Sequence, residues 1–132
     1  MAQENVEIVV RALEVSRTDP ASFLTSCDPE IEWDESRMMP EPRVYHGHEG
    51  VRQFWRRWTG TWDEYGFAIE EAIDAGHEEV VVRARVWGRG RGSGVPVELR
   101  FGQVFTVRNG RIVRFRAFPD FEQALEAVGL SE

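Results

Sequence analysis

VELRFGQVFTVRNGRIVRFRAFPD, residues 97–120, reads as two long strands joined at Asn109-Gly110. A tight hairpin turn needs φ > 0 at both central residues, and Asn-Gly between two alternating runs supplies that more cheaply than other pairs. The first strand puts Val97, Leu99, Phe101, Gln103, Phe105 and Val107 on one face. Gln103 is the polar residue on that apolar face. The second strand ends at Asp120, where a helical pattern begins.

Working outward, Val80, Val82, Ala84 and Val86 alternate with Val81, Arg83, Arg85 and Trp87 on another long strand, and 67–76 form a strand before it, with a turn at His77-Glu78. Upstream, Val51, Phe54, Trp55, Trp58 and Trp62 fall at i, i+3, i+4, i+7 and i+11, the spacing of one aromatic stripe on a helix. Residues 35–47 are irregular, with Pro40 and Pro42 breaking any regular element. Glu30 to Asp34 form a short strand with Ile31 and Trp33 on one face and Glu32 and Asp34 on the other. Two helices open the chain, at about 4–16 and around Phe23 and Leu24. Helices come first and long antiparallel strands later, so the expected class is α+β: a curved, mixed but mostly antiparallel sheet wrapped around the third helix, forming a cone-shaped pocket. Residues 1–132 are expected to make one domain.

Hydrophobic residues make up 42% and charged residues 30%, a folded composition. No apolar run approaches the ~20 residues that span a bilayer, the opening MAQENVE lacks a secretory pattern, and the single cysteine, Cys27, fits a reducing compartment. A cytoplasmic location without membrane association is therefore expected. The net charge is −7, unevenly spread: residues 83–116 hold nine Arg and one Glu, whereas 1–82 hold seven Arg and 18 acids. The basic block is either an anion or nucleic-acid surface or a sheet face whose arginines pair with acids. The second reading is preferred, so no nucleic-acid partner is expected.

The chain resembles the SnoaL-like proteins of the nuclear-transport-factor-two-like superfamily. The resemblance rests on Asn5-Val6-Glu7-Ile8-Val9, Asp28-Pro29-Glu30-Ile31-Glu32-Trp33, Tyr45-His46-Gly47-His48-Glu49-Gly50-Val51, Asn109-Gly110-Arg111-Ile112-Val113 and Arg116-Ala117-Phe118-Pro119-Asp120. It implies an α+β cone, often a homodimer through the sheet. For function the superfamily is permissive: it hosts isomerases, dehydratases, cyclases, hydrolases, ligand-binding proteins and assembly domains.

On that resemblance Asp34 is similar in place to the general base of ketosteroid isomerases, and Gln103 to their oxyanion-binding acid. Asp120 is similar to the acid/base aspartate of polyketide cyclases. Each has a plainer role. Asp34 alternates with Trp33, and with Glu32 and Glu35 it reads as a solvated edge. Gln103 reads as a buried amide satisfied by a neighbouring side chain or water, and Asp120 as an N-cap with Gln123 at N3. No oxyanion tyrosine stands on the first helix, where 9–12 read Val-Val-Arg-Ala, which argues against steroid-type isomerisation. Trp33, Trp55, Trp58 and Trp62, with Phe101 and Phe105, are core residues that could also wall an apolar pocket. His46 and Arg116 are further pocket candidates, Arg116 on a face that strand parity leaves open. His46 and His48 alone are a weak metal signal. Two functions follow: a cofactor-free acid-base enzyme acting on a small apolar molecule, with Asp34 or Asp120 moving the proton, or a binding or dimerisation module without chemistry.

Overall fold

A computed structural model describes residues 2–38 and 43–130. Pro40 and Pro42, expected to break regular structure, lie outside the described residues. The elements are α1 (Ala2–Ser16), α2 (Pro20–Leu24), β1 (Cys27–Asp34), β2 (Val44–His46), α3 (Gly47–Gly60), β3 (Trp62–Gly76), β4 (Glu79–Gly90), β5 (Pro96–Arg108), β6 (Arg111–Phe118) and α4 (Phe121–Ala127). The strands form one mixed sheet in the order β2-β1-β6-β5-β4-β3. The β1–β6 pair is parallel and the other pairs are antiparallel. With β2 and β3 as free edges, the sheet stays open. Helix α3 touches β1, β2 and β3. Strands from both edges reach one helix because the sheet curls around it, as twisted sheets do.

The Asn109-Gly110 hairpin forms as expected, with φ of 54° and 78° at its two turn residues and Arg108 opposite Arg111. His77 and Glu78 make the β3–β4 turn, also at positive φ. The aromatic stripe departs from expectation at its end. Helix α3 stops at Gly60, a residue that costs about 1 kcal/mol in a helix interior, and Trp62 instead begins β3 opposite Gly90. β3 therefore starts before residue 67. β2 is an addition to the sequence reading, placed by Tyr45 pairing with Trp33.

Register assigns the faces. Val82, Gln103 and Ala117 lie side by side, as do Val80, Phe105 and Phe115, and Trp33 is level with Phe115. These residues, apart from Gln103, belong to the main core under α1, α2 and α3. Trp33 stacks on Phe115 with centroids 4.0 Å apart, and Phe23 meets both Trp33 and Trp55 edge-on or tilted. The opposite, outer face carries a second core, where Val81, Val104 and Phe118 are covered by Phe121, Ala124 and Leu125 of α4.

Gly102 makes that second contact possible. A Cβ there would stand 2.6 Å from the Ala124 methyl and 2.8 Å from the Asp120 carbonyl oxygen. We expect Gly102→Val to lower stability by about 1–3 kcal/mol, the usual cost of overpacking, because backbone cannot move aside as a flexible side chain would. Denaturant unfolding at constant m-value checks this; an unchanged midpoint would show that α4 is not seated as described.

The sheet arginines pair with acids, as the preferred reading of the basic block held. Arg85 and Arg100 share Glu70 and Glu98, Arg83 meets Glu71, Arg89 meets Glu64, Arg108 meets Glu78 and Arg114 meets Glu32. These contacts are largely exposed and contribute little individually; they explain why so basic a stretch can lie flat on one sheet.

Candidate functional site

The two aspartates proposed for proton transfer both lie away from the inner face. Asp34 is level with Arg116 across the β1–β6 pair, on the side opposite Trp33, because successive strand residues point to opposite faces. Its carboxylate accepts from the Ser36 hydroxyl (2.6 Å), the Ser36 N–H (2.9 Å) and Arg37 (3.2 Å). Burial would push its pKa up, but the Ser36 bonds and the Arg37 charge outweigh it and hold Asp34 below its ordinary value. It is a locked, ionised turn residue, unsuited to taking a proton near neutrality.

Asp120 is the N-cap of α4. Its carboxylate accepts from the Gln123 N–H at 2.8 Å and from the Gln123 side chain at 3.0 Å. Those bonds, the backbone one first, hold its pKa down, and it is fully exposed. α4 sits on the outer face, so Asp120 and Gln103 are on opposite sides of β5. The capping role weighed from sequence is the one this geometry supports.

Arg116 also faces outward. It donates to Glu79 at 2.9 Å and lies over the Phe118 ring. Parity along 112–118 grouped Arg114 and Arg116 with Ile112. A bulge near Val113 breaks that parity, since Ile112 pairs with Val107 while Arg114 pairs with Thr106. Ile112 therefore enters the main core, and both arginines point away.

Gln103 is on the inner face, 6% exposed, and its Oε1 has no hydrogen-bond partner among the described residues. An orphaned buried acceptor costs about 1–3 kcal/mol and calls for an explanation. No neighbouring side chain among the described residues satisfies that oxygen.

The inner face also holds a carboxyl group that sequence reasoning assigned to a solvated edge. Glu35 is 6% exposed. It follows Asp34, the last residue of β1 paired with β6, and its N–H donates to the Arg43 carbonyl at 3.0 Å. Gln103 lies on β5, level with Ala117 of β6. Trp33 Nε1 donates to Glu35 Oε2 at 2.9 Å, which ties the carboxyl to the inner side. Burial pushes its pKa up to about 8 against the Trp33 bond, and the Asp34 charge adds to the rise. Glu35 is thus a carboxylic acid largely protonated at neutral pH.

β5 runs from the core toward the surface. Its inner-facing residues pass from fully buried Phe105 through Gln103 to half-buried Phe101 and then Leu99, which is 44% exposed. Of the expected pocket residues, Trp33 and Phe105 are core and Trp55 is packed against them. Trp58 meets Phe54, Trp62 and Tyr65 nearer the surface. Trp62 is buried with an unpaired Nε1. His46 is exposed ahead of α3, beside a surface depression of about 520 Å3 shared with Arg43, Tyr45, Glu49 and Gln53. His48 binds the Cys27 carbonyl at 3.1 Å, which ties α3 to β1. Burial pushes the Cys27 thiol up to about 12, leaving it inert as a nucleophile.

The SnoaL-like domain family matches residues 7–115. Among curated proteins none matches. Solved structures do. An NTF2-like protein from Burkholderia thailandensis is 34% identical, covering 93% of this chain and 95% of its own, with a TM-score of 0.78. An NTF2-like protein of unknown function from Burkholderia pseudomallei is 26% identical over 96% and 98%, with a TM-score of 0.76. TerC, co-crystallised with polyporic acid, is 21% identical over 95% and 98%, with a TM-score of 0.76, a likeness of fold alone. Since the family match runs from α1 into β6, through the strands that hold Gln103 and Trp33, this chain belongs to the SnoaL-like domain family.

Proposed function

We propose that the chain acts on a small, mostly apolar molecule by general acid-base chemistry, with Glu35 moving the proton and Gln103 holding a polar group of the substrate. One observation carries this: a buried carboxyl with a pKa of about 8 shares the inner face with an unsatisfied amide. A general base works best when its pKa is near the working pH, and at pH 7 roughly one Glu35 in ten is ionised. The aspartates first considered, Asp34 and Asp120, lack this property. No cofactor enters the proposal. That TerC was co-crystallised with polyporic acid supports a small organic ligand on this fold.

Hydrogen–deuterium exchange at the carbons flanking the carbonyl of 6-hydroxy-2-tetralone, which carries both a carbonyl and a hydroxyl, followed by NMR, tests the reading. Wild type and Asp120→Asn should accelerate exchange over buffer alike, and Glu35→Gln should lose on the order of a hundredfold or more of that acceleration. Exchange that survives Glu35→Gln rules out this assignment.

A second reading, ligand binding without chemistry, is favoured by the first helix, where Val9 and Ala12 are buried and no tyrosine stands to help polarise a carbonyl. Tight binding of 6-hydroxy-2-tetralone with exchange no faster than buffer would support it.

A further inference from the structure

The chemistry of the inner face restricts what it can hold. Gln103 Oε1 is an acceptor, buried and unpartnered. A ligand relieves that cost only by bringing a donor. Glu35 has one oxygen committed to Trp33 Nε1, which leaves its other oxygen, protonated at neutral pH, to serve a ligand acceptor.

Charge narrows the class further. The chain has no lysine. Among the described residues, the inward positions of β1, β4, β5 and β6 carry no arginine, since Arg83, Arg85, Arg100, Arg114 and Arg116 point outward to acids. His46 and His48 stand before and in α3, and His77 is in the β3–β4 turn. A carboxylate or phosphate beside Gln103 would find no cation on the inward positions of these strands, and burying an unpaired ion is costly.

We propose that this site takes an uncharged molecule that presents a hydroxyl or N–H at its buried end to Gln103 Oε1, its apolar body lying along Phe101 and Leu99. The proposal rests on reading Glu35 and Gln103 as one site. It goes further, because it fixes the polarity of the ligand group and excludes acids.

Calorimetric titration with three naphthalenes of one shape makes the test. 2-Naphthol is neutral with a donor, 2-methoxynaphthalene is neutral with only an acceptor, and 2-naphthoate is anionic. We expect 2-naphthol to bind roughly tenfold or more tighter than the methyl ether, the effect of one buried hydrogen bond, and naphthoate to bind weakest. Gln103→Leu should erase the preference for naphthol while keeping affinity for the ether. The wild-type series decides even if that variant fails to fold. Naphthoate binding tightest, or the ether matching naphthol, overturns the donor requirement and leaves the inner-face site standing. Binding of none of the three overturns both.

Discussion

Replacing Glu35 by Gln should abolish base-dependent proton exchange and, at the same time, make the folded protein more stable at alkaline pH. Both outcomes come from one cause. The folded state holds the Glu35 proton up to about pH 8, whereas the group's ordinary value is 4.5. Between those values the folded chain binds a proton that the unfolded chain has released, so wild-type stability falls as pH rises through the window. Below about 4.5 both states are protonated and the group costs nothing through this route. Above about 8 the full cost applies, on the order of several kcal/mol for a shift of this size. A glutamine is neutral throughout and escapes it. Denaturant unfolding of both proteins at pH 5 and pH 8.5 gives the comparison: curves that diverge with rising pH support the burial of Glu35, and parallel curves would count against it. Asp34 acts in a different window. Its lowered pKa adds stability that is present above its ordinary value and lost only as pH falls below it, so the two residues do not confound each other.

Much of this arrangement can be read from the residues, and the exceptions have physical reasons. Asn109-Gly110 and the alternation on either side determine a hairpin because they leave little conformational choice. Gln103 is visible as a polar residue on an apolar face, since strand period alone puts it beside Phe101 and Phe105. Glu35 was open to the same logic: Ile31, Trp33 and Glu35 share a parity. Composition obscured it, because three acids within four residues look like a solvated edge. What separates them is a bond that no local pattern encodes, the one from Trp33 Nε1. The face of Arg116 could not be read at all, because a bulge near Val113 reverses the parity that a count from Ile112 would use. Trp62 misled for a related reason. Helical spacing continued past Gly60, but pairing with β4 outweighed it.

Trp33 should prove to have two separable roles, and two substitutions would resolve them. The ring is packed between Phe115, Phe54, Phe23 and Trp55, and its N–H reaches Glu35. Trp33→Ala removes the ring, and the resulting cavity should cost about 3–5 kcal/mol at any pH. Trp33→Phe keeps an aromatic face for Phe115 to stack on and removes the N–H. That N–H favours the ionised carboxylate, so its loss should raise the pKa of Glu35 above about 8. Exchange of 6-hydroxy-2-tetralone at pH 7 should then slow, and the midpoint of its pH profile should move upward. Because the lost bond matters most to the charged form, Trp33→Phe should add about 1–3 kcal/mol of destabilisation at alkaline pH and less near pH 5. A purely structural tryptophan would behave otherwise: the pH profile would stay in place and the stability loss would be the same at both pH values. An unmoved profile in Trp33→Phe would therefore mean that Glu35 is held by packing alone. A raised one would identify the indole N–H as the group that keeps a buried acid within reach of ionisation at neutral pH.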